Sequence, residues 1–84
     1  MYHPGFSKTF RRITAIICRL GKLGDLDPNR DFYDAGFSSI GALELLIELE
    51  NECGVSIPDD DFVAARTAAT LASIITRLKL EQPA

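Results

Sequence analysis

Two adjacent serines, Ser38 and Ser39, follow Gly36 closely and stand directly before the strongest helical pattern in the chain. The unpaired backbone N–H groups at a helix start, together with the positive end of the helix dipole, favour a negatively charged substituent. A serine hydroxyl in that position is therefore suited to carrying a phosphate ester. Serine is also a preferred N-cap residue, so capping alone is the ordinary interpretation of one member of such a pair.

The pattern after the serines predicts a helix over residues 39–53, closed by Gly54 in the left-handed conformation usual at a C-cap. Its core-facing stripe consists of apolar residues at helical spacing, namely Ala42, Leu45, Leu46, Leu49 and Cys53. A flanking stripe consists of Ile40, Leu43 and Ile47. Burial is the ordinary interpretation of that flank and is favoured for Leu43, whereas partial exposure is favoured for Ile40 and Ile47.

Three further apolar segments predict that the rest of the chain is helical as well. Ser7 is interpreted as the cap of a first helix that ends near residues 21–24, and residues 1–6 are expected to form a loose arm. A short helix is expected at 62–65, and a last helix capped by Thr70 precedes a tail at 81–84. We therefore predict a single all-α domain spanning residues 1–84, a small antiparallel four-helix bundle with three long helices and a short third one.

The long connection at residues 21–38 separates the first two predicted helices. Connections longer than about 12–15 residues inside a compact domain are usually functional. Its apolar side chains predict a loop that is pinned to the core, and they are Leu23, Leu26, Phe32 and Tyr33. Asp31 and Asp34 are interpreted as caps of turns within it.

The composition excludes several classes of protein. Eighty-four residues, 46% hydrophobic and 25% charged, make one thin core, which argues against an autonomous enzyme with a deep cleft. One His and two Cys without Cys-x-x-Cys spacing provide neither a zinc site nor a His-based triad. The chain has no apolar run of about 18 residues and no signal-peptide core, so we expect a cytoplasmic protein that does not insert into membranes.

The charge is divided unevenly along the chain. Residues 1–30 contain six Lys/Arg and two Asp, whereas residues 31–84 contain three Lys/Arg and ten Asp/Glu. The acidic half contains the serines, which argues against nucleic acid and for a partner with a basic docking surface. The acidic triplet at 59–61 is compatible with a divalent cation, but a helix start explains it at least as well, so no metal site is predicted.

Over nearly its whole length, the chain resembles the acyl carrier and peptidyl carrier protein family. The family signature is a Gly, one further residue and then Asp-Ser-Leu, followed by an acidic and apolar helix. The same register here reads Gly36-Phe37-Ser38-Ser39-Ile40. Further matches to the family are Phe32, Glu44-Leu45, Ile57-Pro58-Asp59 and Thr70.

The resemblance implies that Ser39 carries 4′-phosphopantetheine, transferred from coenzyme A by a phosphopantetheinyl transferase, with Ser38 and Gly36 beside it. The thiol of that group would hold an acyl or aminoacyl cargo as a thioester, so the chain is expected to be a carrier and not an enzyme. A ligase or adenylation enzyme would load it, and an acyltransferase, synthase or condensation enzyme would receive the cargo. We expect the chain to be a monomer. Its expected partner-binding residues are Ile40, Leu43, Glu44, Ile47 and Glu48.

Departures from the family pattern favour a discrete carrier of nonribosomal-peptide or polyketide pathways, or a D-alanyl carrier, over the fatty-acid-synthesis type. Ser38 replaces the usual Asp, Ile40 replaces Leu, and Gly41 replaces an acidic residue. The region 60–69 also differs from the fatty-acid type. The alternative hypothesis is a cofactor-free interaction module whose second helix docks in the groove of a partner.

Overall fold

The computed structural model describes residues 4–81, with side chains from Lys8 onward. Within that range the chain is all-helical and contains no strand, which confirms the predicted fold class. The elements are α1 (Pro4–Gly21), a 3₁₀ turn (Ser39–Gly41), α2 (Ala42–Cys53), α3 (Asp59–Ala64) and α4 (Ala68–Glu81). No helix in the described range has both the length and the apolar content needed to span a bilayer.

The first helix begins earlier than the sequence pattern predicted. It starts at Pro4, so Ser7 lies inside α1 and residues 4–6 are helical, while residues 1–3 lie outside the described range. Proline is tolerated in the first turn because its missing N–H has no intrahelical partner there and its fixed φ suits the helix. Hydrophobic periodicity, which starts only at Phe10, carries no information about this first turn.

The last helix also begins one turn earlier than predicted. Its start is capped by Thr67, whose Oγ1 accepts a hydrogen bond from the backbone N–H of Thr70 at 3.1 Å. Thr70 therefore lies in the first turn of α4 and is not the cap. Helix α4 continues through Glu81, and residues 82–84 of the predicted tail lie outside the described range.

The core lies where α1 packs against α4 and α2. The predicted stripe of α2 is confirmed, because Leu45, Leu49 and Cys53 are buried and Ala42 and Leu46 are partly buried. The other buried apolar residues are Ile13, Ile16, Ile17, Phe32, Phe37, Val55, Ile57, Phe62, Ala65, Ala68, Leu71, Ala72, Ile75 and Leu78. These residues come from every helix and from the connecting segments, so the chain forms one core.

Two glycines mark the ends of α2. Gly54 has φ +68° and donates its N–H to the carbonyl of Glu50 at 2.9 Å, which confirms the predicted left-handed C-cap. Gly41 has φ −82° and ψ 0° and joins the 3₁₀ turn to α2. Because Gly41 lies at this junction, the free-energy cost of glycine in a helix interior does not apply to it.

The long first connection is pinned to the bundle, as predicted. Phe32 is completely buried and donates its backbone N–H to the carbonyl of Arg66 at 2.9 Å. Near the middle of the loop, the carbonyl of Pro28 accepts the N–H of Ala69 at 3.0 Å. The loop that leads to the serines is therefore held against the α3–α4 connection and the first turn of α4.

Candidate functional site

The two serines have different roles at the start of the 3₁₀ turn. Ser38 has extended backbone angles, and its Oγ accepts the N–H of Ile40 at 3.2 Å, which makes Ser38 the capping member of the pair. Ser39 is the first residue of the turn, and its side chain is exposed. The capping bond thus occupies the Ser38 hydroxyl, while the Ser39 hydroxyl faces the surface.

Gly36 sets the direction in which the chain approaches the serines. It has φ +120°, a backbone conformation that strongly favours glycine, and a Cβ there would lie 3.3 Å from Leu23 Cδ2. The reversal lets Phe37 donate its N–H to the carbonyl of Phe32 at 2.9 Å and bury its ring. Ser38 and Ser39, the next residues, are exposed.

An aromatic cluster lies beside Ser39 and is formed by Phe32, Tyr33 and Phe37. The ring centroids are 4.6 Å apart for Phe32 and Tyr33, 5.6 Å for Phe32 and Phe37, and 6.1 Å for Tyr33 and Phe37. Tilted and edge-on pairs at such distances contribute stabilisation beyond the area that they bury. The cluster gives the residues before the 3₁₀ turn a rigid base.

A carboxylate and a guanidinium fasten this cluster to the α3–α4 connection. Asp31 Oδ1 accepts the N–H groups of Tyr33 at 2.8 Å and Asp34 at 3.2 Å, which confirms the predicted capping role of Asp31. Its Oδ2 accepts a hydrogen bond from Arg66 Nε, and the Arg66 guanidinium lies 4.8 Å from the centroid of the Tyr33 ring. Desolvation acts to raise the pKa of Asp31, but the hydrogen bonds from Arg66, Asp34 and Tyr33 together lower it.

A shallow groove of about 450 Å³ opens next to Ser39. Its lining combines the aromatic cluster, the start of α2 and the segment around α3, namely Tyr33, Phe37, Ser39, Ala42, Phe62, Val63 and Arg66. Ser39 is therefore exposed and adjoins a surface that combines apolar and aromatic side chains with the cation of Arg66. These residues fit the attachment of a flexible group through a phosphate ester.

Sequence reasoning placed neither Val63 nor Arg66 at the site. Val63 was assigned only to a short helix, but its side chain is 73% exposed on α3. Arg66 is 35 residues from Asp31 in sequence, and no local pattern links the two. The one available signal was that Arg66 is one of three cations in the acidic half of the chain.

The flank of α2 is an exposed apolar strip, formed by Ile40, Leu43 and Ile47. The exposed fractions are 92%, 66% and 49% respectively, so the interpretation of Leu43 as a core residue is wrong. A helix turns by about 100° per residue, which places Leu43 roughly 140° from the direction midway between the buried Leu45 and Leu49. Its direction therefore matches that of Ile40 and Ile47 rather than that of the core.

The two acidic residues predicted to bind partners differ in their surroundings. Glu44 lies in the first turn of α2 and is exposed. Glu48 Oε2 accepts a hydrogen bond from Arg19 at 3.2 Å, so its charge is partly neutralised by α1. Of the two carboxylates, Glu44 presents the stronger negative field beside the apolar strip.

Within the described residues, no group of three or more His, Cys, Asp or Glu side chains could hold a metal ion. The acidic triplet occupies the first turn of α3, and Asp61 Oδ2 accepts a hydrogen bond from Arg77 at 3.0 Å. A helix start and an ion pair therefore account for these carboxylates.

Both cysteines of the chain are free. Burial raises the pKa of the Cys18 thiol, with a further contribution from Asp25. Burial also raises the pKa of the Cys53 thiol, and Lys79 and Arg12 only partly oppose it. Both groups are therefore more strongly protonated at neutral pH than an ordinary thiol.

Comparisons with known proteins agree with this geometry. Residues 11–75 match the family model described as the phosphopantetheine attachment site. The chain is 26% identical over 80 residues to the meromycolate extension acyl carrier proteins of Mycobacterium leprae (strain TN), Mycobacterium tuberculosis (strain ATCC 25618 / H37Rv) and Mycolicibacterium smegmatis. The match covers 94% of this chain, but only 65% of the two Mycobacterium proteins and 76% of the Mycolicibacterium protein. The chain belongs to the phosphopantetheine-binding family of acyl and peptidyl carrier proteins.

Proposed function

We propose that this chain is a carrier that bears 4′-phosphopantetheine on Ser39 and presents an acyl group to partner enzymes. The observation that carries the assignment to Ser39 is the division between the serines. Ser38 Oγ is engaged in the capping bond to Ile40, whereas Ser39 is exposed and lines the groove. The names of the relatives, which are acyl carriers, favour an acyl cargo over an aminoacyl one.

The chain's own residues position the ester and favour its charge. The N–H groups of Ile40, Gly41 and Ala42 already donate to Ser38 Oγ, Ser38 O and Ser39 O. A phosphate on Ser39 would therefore be stabilised by the dipole of α2 more than by direct bonds to these three amides. When attached, phosphopantetheine supplies a terminal thiol that carries the cargo as a thioester.

Partner enzymes would recognise the surface around the attachment point. We assign this role to the apolar strip (Ile40, Leu43 and Ile47), to Val63 on the other side of the groove, and to the nearby carboxylates Glu44 and Glu48. Exposed apolar side chains provide the area that a partner can bury, and the carboxylates steer a basic surface toward them. A transferase, a loading ligase and a receiving synthase would all approach at this end of the molecule.

The assignment is tested by intact-mass spectrometry after treatment with coenzyme A and a broad-specificity phosphopantetheinyl transferase. We expect the wild-type chain and Ser38→Ala to gain one phosphopantetheine, and Ser39→Ala to gain none. Ser38→Ala loses a helix cap and about 1 kcal/mol of stability but keeps the acceptor hydroxyl. Modification of Ser39→Ala would contradict the attachment site.

A wild-type chain that folds but accepts no group would instead favour the cofactor-free interaction module. The exposure of Ile40 and Leu43 is the observation consistent with that second function, because both residues could dock in a partner without any cofactor.

A further inference from the structure

A second groove, of about 320 Å³, lies between α1, α4 and the C-terminal end of α2. Its walls carry Lys8 and Arg12 from α1 and Lys79 and Leu80 from α4, and Cys53 and Thr76 also line it. Cys53 lies 14 residues after Ser39 along the 3₁₀ turn and α2, which corresponds to about 20 Å of helix. The groove is therefore at the opposite end of α2 from the proposed attachment site.

Three positive charges surround this groove in a chain whose net charge is −3. The cations that form ion pairs with carboxylates among the described residues are Arg19, Arg66 and Arg77, and none of them lines it. Arg12 donates a hydrogen bond to the backbone carbonyl of Glu52 at 3.3 Å, which holds its side chain near the end of α2. The groove thus gathers three cations, with Glu52 as a nearby carboxylate at the end of α2.

The lining also contains features that suit a polymer carrying both carboxylates and apolar side chains. Leu80 is 81% exposed at the rim and offers an apolar contact. Lys8 and Arg12 are one helical turn apart on one wall, and Lys79 lies on the other wall. The charges are thus distributed over both walls of the groove.

We propose that this groove binds an extended acidic segment of a partner protein, one that places an apolar side chain against Leu80 and carboxylates against Lys8, Arg12 and Lys79. A lone phosphate fits less well, because it would leave the exposed Leu80 at the rim without an apolar contact. An anionic bilayer fits less well because the acidic half of the chain would be repelled by it. The proposal does not depend on modification of Ser39.

The occupant would leave the Ser39 end of the molecule accessible. A partner held at the basic groove could therefore remain bound while another protein engages the apolar strip beside the attachment site. Tethering of this kind raises the effective concentration of the carrier near the enzymes that use it.

The test is an NMR titration of the ¹⁵N-labelled full chain at low salt with a synthetic ten-residue peptide of eight Glu and two Leu. We expect the amide shifts to concentrate around Lys8, Arg12, Thr76 and Lys79. The groove variant combines Lys8→Gln, Arg12→Gln and Lys79→Gln. It should bind the peptide about tenfold more weakly, or worse. The matched control, Arg11→Gln, Lys22→Gln and Arg30→Gln, removes the same charge from exposed positions outside this groove and should change affinity by less than about twofold.

Three results would overturn the proposal. Equal weakening in both triple variants, each verified as folded by circular dichroism, would show a general charge effect. Identical shifts with inorganic phosphate at the same concentration of charge would indicate an adventitious ion only. In the third result, the wild-type chain binds vesicles containing anionic phospholipid but does not bind the peptide. If the groove variant loses that vesicle binding, the groove is assigned to a membrane surface instead.

Discussion

At the scale of single residues, Asp31 has the most varied set of contacts near the site. One of its carboxylate oxygens caps a turn of the loop, and the other holds Arg66 across the molecule. The capping role is predictable from sequence because aspartate bonds to backbone amides two or three residues ahead. The pairing with Arg66 is not predictable in this way, because it depends on how the loop and the α3–α4 connection meet.

The pKa of Asp31 gives a prediction for acid stability. Because its folded-state pKa is lowered, its contribution to stability is fully present above its unfolded pKa, near 4, and is lost as the pH falls through the lower folded value. We therefore expect Asp31→Asn to lower the midpoint of urea denaturation at pH 7. Between pH 7 and pH 3 that midpoint should then fall less in Asp31→Asn than in the wild type. Asp60→Asn, which leaves the Asp31–Arg66 pair intact, controls for net charge. An equal acid-induced decline in wild type and Asp31→Asn would contradict this role.

The serine pair shows how much of the site follows from local chemistry. The cap at Ser38 was predictable because capping requires only a hydroxyl at the right distance before a helix. The groove beside Ser39 was not, because Phe62, Val63 and Arg66 reach it from more than 20 residues away in sequence. Attachment at Ser39 itself remains a prediction until the modified residue is identified.

At the scale of elements, α2 presents a buried stripe on one face and, together with Ile40 of the preceding turn, an exposed strip on another. Periodicity predicted the buried stripe but did not decide the side of Leu43, because apolar residues at its boundary fit either environment. Packing against α1 resolves the ambiguity. The early starts of α1 and α4 have a similar cause, since Pro4 and Thr67 act through backbone geometry and hydrogen bonds that hydrophobic spacing does not report.

The two faces of α2 predict very different losses of stability for a Leu→Ala substitution. Leu49→Ala removes a completely buried side chain and should cost about 2–5 kcal/mol of unfolding free energy. Leu43→Ala, on the same helix, should change stability by less than about 0.5 kcal/mol because that side chain is mostly exposed. Urea denaturation of both variants measures the difference. A Leu43→Ala loss as large as that of Leu49→Ala would contradict the assignment of Leu43 to the surface.

At the scale of the whole molecule, the charges divide between two ends. Carboxylates accompany the apolar strip near Ser39, and cations surround the groove between α1 and α4. The sequence predicted the acidic half from counts alone, but it did not predict the basic groove. Lys79 belongs to the acidic half by sequence, and folding brings it beside Lys8 and Arg12.

This division predicts the effect of charge reversal on loading. Glu44→Lys with Glu48→Lys should slow phosphopantetheinylation at low salt by about tenfold, mainly by raising KM, because the transferase would lose electrostatic attraction. Glu44→Lys alone should account for most of the effect, since Glu48 is already paired with Arg19. Asp25→Lys with Glu52→Lys makes the same change in net charge elsewhere. Equal slowing by that control pair would argue against a local docking surface.

The protected cysteines have a consequence for chemical selectivity. Burial raises the pKa of both the half-buried Cys18 and the buried Cys53, and a protonated sulfur is a poor nucleophile. On the proposed function, a thiol delivered by the arm would share the molecule with two sulfurs that are less prone than an ordinary thiol to capture its cargo or to form a mixed disulfide with it. Burial of the chain's own thiols would in this way favour reaction of an electrophile or an oxidant at the thiol of the arm.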